Sequence, residues 1–415
     1  PGDKAENLET AIRYYEAALQ VYTREKYPQD WARTQNSLAN TYLSRIRGEQ
    51  LKNVEQAISY YEAALQVRTR EAYPDKWARI QTGLGEAYRN RIQGERAENI
   101  EKAIAYYEAA LKICTRNTYP EDWAGTQGNL GIAYTNRIRG EEAENVEIGI
   151  SYHNAALTVY NREEYPQYWA RVQINLGLAY SHRIHGDKVE NQEISLAFYN
   201  AALEILTRQE FPEDWAKVQL NLGNCYSERI LGQKADNLEM TIAFDNAALE
   251  VFTQEAFPQY WAMAQKNLGN HYRKRIKGQK DQNLEIAIIH YTSALKVFTK
   301  KAFPDEWALI QKILGDTYQD RICGKKADNL EDSIRYYNSA LEVHDCKIEP
   351  EQWAVIQNNM GNAYRNRIRG NKANNIERAI LAYNNALKVN SFFEASPENW
   401  AITQNNLGNA HWNRI

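Results

Sequence analysis

The chain has 415 residues and a formal net charge of -3, with 43% hydrophobic and 25% charged residues. That balance disfavours nucleic acid as the first partner to consider, and no apolar run approaches the roughly 20 residues that span a bilayer. The four cysteines (Cys114, Cys225, Cys323, Cys346) are far apart and form no CxxC pair. This argues against a disulfide framework or zinc knuckle and for a reducing, cytoplasmic setting.

Length alone would admit two or three globular domains. An internal repeat replaces that expectation. Tryptophan recurs at Trp31, Trp77, Trp123, Trp169, Trp215, Trp261, Trp307 and Trp353, each 46 residues after the last, and at Trp400 after one residue more. A period of this size signals a solenoid of small helical units. Residues 1–415 are therefore expected to form one solenoid of nine units. Pro1–Asn7 matches the mid-repeat stretch Gln93–Asn99 and the chain stops at Arg414-Ile415, so both ends are expected to be cut from a longer protein.

In chain order, each unit predicts two helices. The first is expected to start at Asn7, Asn53, Asn99 and so on to Asn375, with the asparagine as N-cap. A glutamate two residues on (Glu9, Glu55, Glu101 to Glu377) suits the positive helix end. Ala57, Ile58, Tyr60, Tyr61, Ala64 and Leu65 then form one packing stripe at helical spacing. The second helix is expected to start at Pro28, Pro74, Pro120, Pro166, Pro212, Pro258, Pro304, Pro350 and Pro397, because proline has no N–H to leave unsatisfied there. Trp31, Gln35, Leu38, Tyr42 and Ile46 cluster on one side and are assigned to the core. Gly48 and its equivalents to Gly370 read as helix stops. Helices of roughly 18 to 20 residues, about 30 Å, would result. The Tyr or Phe before the proline is expected to staple the turn. The arginine before the recurrent isoleucine (Arg45, Arg91, Arg137 through Arg414) stands in every unit, which favours a structural pair with the recurrent glutamate over nine copies of an anion site.

Leu84-Gly85-Glu86-Ala87-Tyr88 followed by Ala103, Tyr107, Ala110 and Leu111 resembles the tetratricopeptide repeat (TPR). The resemblance covers the whole chain but departs in period, since the usual unit has 34 residues. The Trp-Ala-x-x-Gln-x-Asn-Leu-Gly-x-x-Tyr-x-x-Arg-Ile-x-Gly pattern looks like that of cyanobacterial and related bacterial arrays often fused to a CHAT protease domain. No such domain lies in this sequence. The resemblance implies an all-α, right-handed superhelical solenoid of antiparallel helix pairs. It also implies a concave groove, lined by the Leu-Gly helices, that takes a protein or peptide.

Two residue series are candidates for that groove. The residue before the recurrent Leu or Met is asparagine at Asn129, Asn175, Asn221, Asn267, Asn359 and Asn406. Two residues after it, asparagine recurs at Asn40, Asn224, Asn270, Asn362 and Asn409. A primary amide carries donor and acceptor together and can bond any peptide main chain; the alternative is a solvated or helix-bridging amide. Two residues after each tryptophan stand Arg33, Arg79, Gly125, Arg171 and Lys217, then Met263, Leu309, Val355 and Ile402. The basic half would attract an acidic segment and the apolar half would anchor a hydrophobic one, unless those apolar residues pack on the next repeat.

There is no glycine-rich phosphate loop and no HExxH. His182 and His185 lie three apart, which reads as a solvated pair rather than a metal site. No cysteine is placed as a nucleophile. The reading is a non-enzymatic, protein- or peptide-binding scaffold or sensor that needs no cofactor, small-molecule substrate or membrane. The alternatives are a regulatory arm that holds a fused effector inactive and a nucleic-acid-binding solenoid, the latter resting only on the basic half.

Overall fold

In the computed structural model, which describes residues 4–346, 349–389 and 396–414, every regular element is an α-helix. Residues 1–3 and Ile415, used above to place the chain ends within a repeat, lie outside the described residues. The first helices are α1 (Lys4–Ala18), α3 (Gln50–Leu65), α5 (Arg96–Leu111), α7 (Glu142–Leu157), α9 (Lys188–Leu203), α11 (Lys234–Leu249), α13 (Lys280–Ala294), α15 (Lys326–Leu341) and α17 (Lys372–Leu387). The second helices are α2 (Pro28–Leu43), α4 (Pro74–Arg89), α6 (Pro120–Thr135), α8 (Pro166–His182), α10 (Pro212–Glu228), α12 (Pro258–Lys274), α14 (Pro304–Asp320), α16 (Pro350–Asn366) and α18 (Pro397–Trp412). The architecture is an all-α stack of helix pairs. The chain divides into two compact units, Pro1–Leu231 and Gly232–Ile415.

The first helices begin three residues before the recurrent asparagine, so Asn53 and its equivalents are not N-caps. α3 starts at Gln50 after Glu49, with no side-chain cap bond. Asn53 is buried, donates from Nδ2 to the Arg47 carbonyl at 3.0 Å and accepts on Oδ1 from Arg45 at 3.3 Å. The preceding loop folds back over the helix start, and its carbonyls would be orphaned there without an internal amide. The same Arg45 clamps Glu9 with Nε and Nη2, both at 2.8 Å. Equivalent pairs join Arg91 to Glu55, Arg137 to Glu101, Arg183 to Glu147, Arg229 to Glu193, Arg275 to Glu239, Arg321 to Glu285, Arg367 to Glu331 and Arg414 to Glu377. Arg45 thus ties together the end of one hairpin, its loop and the start of the next.

The second helices are 16 or 17 residues long, shorter than the spacing suggested, as α4 and α8 show. They end before the recurrent Arg-Ile, not at the glycine. The glycine turns the loop with φ between 80° and 87°, as at Gly48 and Gly324, a conformation without penalty only for glycine. Because the isoleucine lies past the helix end, it leaves the helical stripe: Ile92, Ile138, Ile184, Ile276 and Ile368 are exposed rather than in the core. The nine recurrent tryptophans are half-buried, and Arg70, Arg162 and Arg208 lie over the rings of Trp77, Trp169 and Trp215 at 5.4–5.8 Å.

The core is built from alanines, from Leu, Ile and Val of both helices, and in six first helices from one fully buried tyrosine. Tyr61, Tyr107, Tyr199, Tyr291, Tyr337 and Tyr383 are fully buried. Each of the last five lies against a glycine of the preceding second helix: a Cβ on Gly269 would stand 2.5 Å from Tyr291 and one on Gly85 2.4 Å from Tyr107. The Leu-Gly signature is therefore a seat for this ring. Aromatic pairs at the turns, such as Tyr22 with Tyr27 at 5.8 Å and Phe252 with Phe257 at 5.4 Å, supply the expected staple.

Candidate functional site

Successive second helices touch one another within each unit. In the first, α2 touches α4, α4 touches α6, α6 touches α8 and α8 touches α10; in the second, α14 touches α16 and α16 touches α18. The first unit also brings Lys4 Nζ within 2.7 Å of Glu213 at the start of α10, across 209 residues.

The first unit holds Arg33, Arg79, Asn129, Arg171, Asn175, Lys217, Asn221 and Asn224. The second holds Asn267, Asn270, Asn359, Asn362, Asn406 and Asn409. The basic residues already have carboxylate partners. Arg79 Nε donates to Asp122 at 2.9 Å and Arg171 donates to Asp214 at 3.0 Å, each at the start of the next second helix. Arg33 turns back to Asp30 at 2.7 Å, and Lys217 meets Glu213 at 2.8 Å. The three arginine side chains stay more than half exposed, so these pairs are open to competition from an incoming carboxylate. The residue before each tryptophan carries this signal in the sequence: Asp122 and Asp214 complement Arg79 and Arg171, whereas Lys76 faces Arg33.

The asparagines differ in what they bond. Asn270 and Asn362 accept on Oδ1 from the buried phenols of Tyr291 and Tyr383, both at 2.8 Å, as Asn40 accepts from Tyr61 at 2.5 Å. Their first task is to satisfy a desolvated hydroxyl. Asn359 and Asn406 belong to a network between helices. Asn359 donates to Asp316 at 2.9 Å, Asn358 donates to Asn359 at 3.1 Å, and Asn406 donates to Asn358 at 3.1 Å. Asn224 and Asn267 also have interactions of their own. Asn409 is exposed on the last helix. Asn129, Asn175 and Asn221 differ from these: they are half-buried on α6, α8 and α10, and their amides bond to no other described residue.

Two cavities lie at the ends of this series. A cavity of about 200 Å³ is lined by Arg79, Asp122, Asn129 and Tyr160 around Gly125, which lacks the side chain that Arg79 and Arg171 present in their own repeats. A second, of about 360 Å³, is lined by Ser181, His182, Asn221, Asn224 and Glu228. The apolar series of the second unit is part of its core instead. Met263 and Leu309 pack on one buried cluster and Val355 on another, while Ile402 is exposed. Packing on the neighbouring repeat thus accounts for three of the four.

Among the described residues no cluster of His, Cys, Asp and Glu could hold a metal, and no helix is long and apolar enough to cross a membrane. Cys114 and Cys225 are buried, and burial pushes the Cys114 thiol up to about 11, unsuited to nucleophilic work.

No protein-family model and no curated protein matches the chain. Among solved structures, the chain is similar to a Rap protein complexed with competence and sporulation factor, at 12% identity and TM-score 0.46 over 98% of both chains. It is also similar to the Rap conjugation gene regulator of plasmid pLS20 in complex with the Phr* peptide, at 14% identity and TM-score 0.46 over 94% of this chain and 98% of that one. A third similarity is to the APC/C hetero-tetramer Cut9-Hcn1, at 13% identity and TM-score 0.37 over 97% and 81%.

Proposed function

We propose that the chain is a non-catalytic binding module that takes an extended peptide segment of a partner protein along the inner face of its first unit. The observation that carries this reading is the set of three unpartnered, half-buried amides on consecutive second helices, Asn129, Asn175 and Asn221. Packed helices lie about 8–10 Å apart, and an extended chain rises about 3.3 Å per residue. Such amides would meet about every third residue of a peptide and bond its main chain whatever its sequence. The exposed arginines beside them would favour acidic side chains.

The test is selection of a random-peptide display library on the protein, followed by binding measurements on the Asn129→Ala/Asn175→Ala/Asn221→Ala variant. Main-chain reading predicts that all selected peptides weaken together while the melting midpoint stays unchanged. Equal binding by a folded variant would refute it. An array that selects no peptide at all would fit an arm that positions a fused effector.

A further inference from the structure

One buried side chain of the first unit has no partner among the described residues. Arg68 follows α3 and is 9% exposed. Its Nε is buried without a partner, and its guanidinium makes no hydrogen bond or ion pair with any described residue. The equivalent position in the other repeats carries Tyr22, Cys114, Tyr160, Leu206, Phe252, Phe298, His344 and Asn390. No other repeat places a lysine, arginine, aspartate or glutamate there. Burying a guanidinium without a counter-charge is among the costlier things a fold can do, and such groups are nearly always paired.

The surroundings set this arginine apart. The charges acting on Arg68 are Arg33 on α2 and Asp75 on α4, and its position is that of Cys114, which lines the Gly125 cavity one repeat on. In the Arg79 and Arg171 repeats an aspartate from the next helix answers the basic residue. Here Lys76 stands at that place, Arg33 is drawn back to Asp30, and Asp75 is held by Lys76 at 3.1 Å. Two ion pairs are closed and one positive charge, its Nε buried, is left over near Arg33 of α2 and Asp75 of α4.

We propose that the Arg68 guanidinium is an oxyanion seat that takes a carboxylate of the bound peptide, with the Arg33 charge near it. The peptidic occupant rests on the function proposed above; the seat itself rests on Arg68. A guanidinium offers two parallel N–H donors to a carboxylate, and the pair is strong where water is excluded. The leftover charge is then compensated only in the complex.

The experiment compares the protein with Arg68→Leu, the side chain that repeat five itself uses (Leu206), and Arg68→Met, which keeps the length of the stem. The probes are hepta-glutamate, its C-terminally amidated form and inorganic phosphate, at constant ionic strength. Without probe, Arg68→Leu is expected to melt higher than the parent, because an uncompensated charge is gone. Hepta-glutamate is expected to raise the parent's midpoint and to bind both variants at least about tenfold more weakly. Equal response to the amidated peptide assigns the seat to side-chain carboxylates, and loss of response on amidation assigns it to the chain terminus. A response to phosphate alone overturns the carboxylate assignment. Variants that melt lower and bind hepta-glutamate as the parent does make Arg68 structural and overturn the seat. If the asparagine variant loses its library peptides while Arg68→Leu keeps both these and the probe, main-chain reading survives and the seat falls. The converse pattern leaves the seat without the ladder.

Discussion

His153 stands where other repeats bury a tyrosine, and this predicts a local sensitivity to acid. Its side chain is 1% exposed, it lies against Gly131, and its Nδ1 has no hydrogen-bond partner. Burial alone pushes its pKa down from 6.5 to about 4. The neutral ring is accepted and the imidazolium is not. Since the folded pKa lies below the unfolded one, the unfolded state binds more protons between these values, and stability rises with pH there. The contribution is fully present above pH 6.5 and is lost as pH falls to about 4. At about 1.4 kcal/mol per pKa unit, the shift corresponds to about 3 kcal/mol. In a solenoid this loss is local to α7 and its neighbours, so amide exchange in α7 reports it better than a global midpoint. The comparison protein is His153→Tyr, which restores the side chain that Gly85 and Gly177 seat as Tyr107 and Tyr199. Carboxylates titrate alike in both proteins, so the difference in α7 protection isolates the imidazole. That difference should widen in favour of the tyrosine variant between pH 7.5 and pH 4.5. A difference that stays constant over this range would refute the argument.

Three further predictions concern the joints. Gly269→Ala places a Cβ 2.5 Å from the buried Tyr291 ring and should destabilise by about 1–3 kcal/mol, whereas Gly128→Ala in α6 meets nothing within 4 Å and should be neutral or stabilise by about 0.5–1 kcal/mol; paired thermal melts decide. A double-mutant cycle on Arg275 and Glu239, whose side chains are 26% and 30% exposed, should give a coupling of about 1 kcal/mol that salt weakens. The buried pair His271–Asp245, at 2.7 Å, replaces an alanine and a tyrosine of other repeats. Asp245→Tyr alone and His271→Ala alone should each destabilise by more than the double variant, one by overpacking and the other by stranding a buried carboxyl. Additive losses in urea melts would sink that account.

The helix pairs were legible because each apolar stripe is written nine times, and noise in one copy is corrected by the rest. What the pattern misjudged lies in the connections. Asn53 resembles a cap by type, but the helix starts before it and its amide serves the loop behind. Ile46 and its equivalents continue the stripe on a helical wheel that has already ended. The candidate groove residues were half legible. Asn129, Asn175 and Asn221 look the same in sequence as Asn359 and Asn406, and only the neighbours Asn358, Asp316 and Arg365 show that the latter two are already engaged. The partners of Arg79 and Arg171 lie 43 residues away on the next unit, a spacing that a single-unit reading does not examine.

Repetition also changes what an exception means. In a globular core an odd residue has no internal standard, but here each position has up to eight. Two kinds of departure can then be separated. Asp245 and His271 depart together and touch, the large residue of one position traded for a small one and the reverse at the other, so the exchange is internally compensated. Gly125 departs together with Tyr168, whose ring stacks on Tyr160 at 4.9 Å beside the space the glycine leaves. Arg68 departs with no compensating acid, and its neighbour Lys76 departs in the direction that makes the charge worse. A compensated exception is what drift within a stable fold produces. An uncompensated one costs stability in the free protein, and its compensation is to be sought in what the protein binds. On the two proposals above, that distinction points to the first unit, at Arg68 and at Asn129, Asn175 and Asn221.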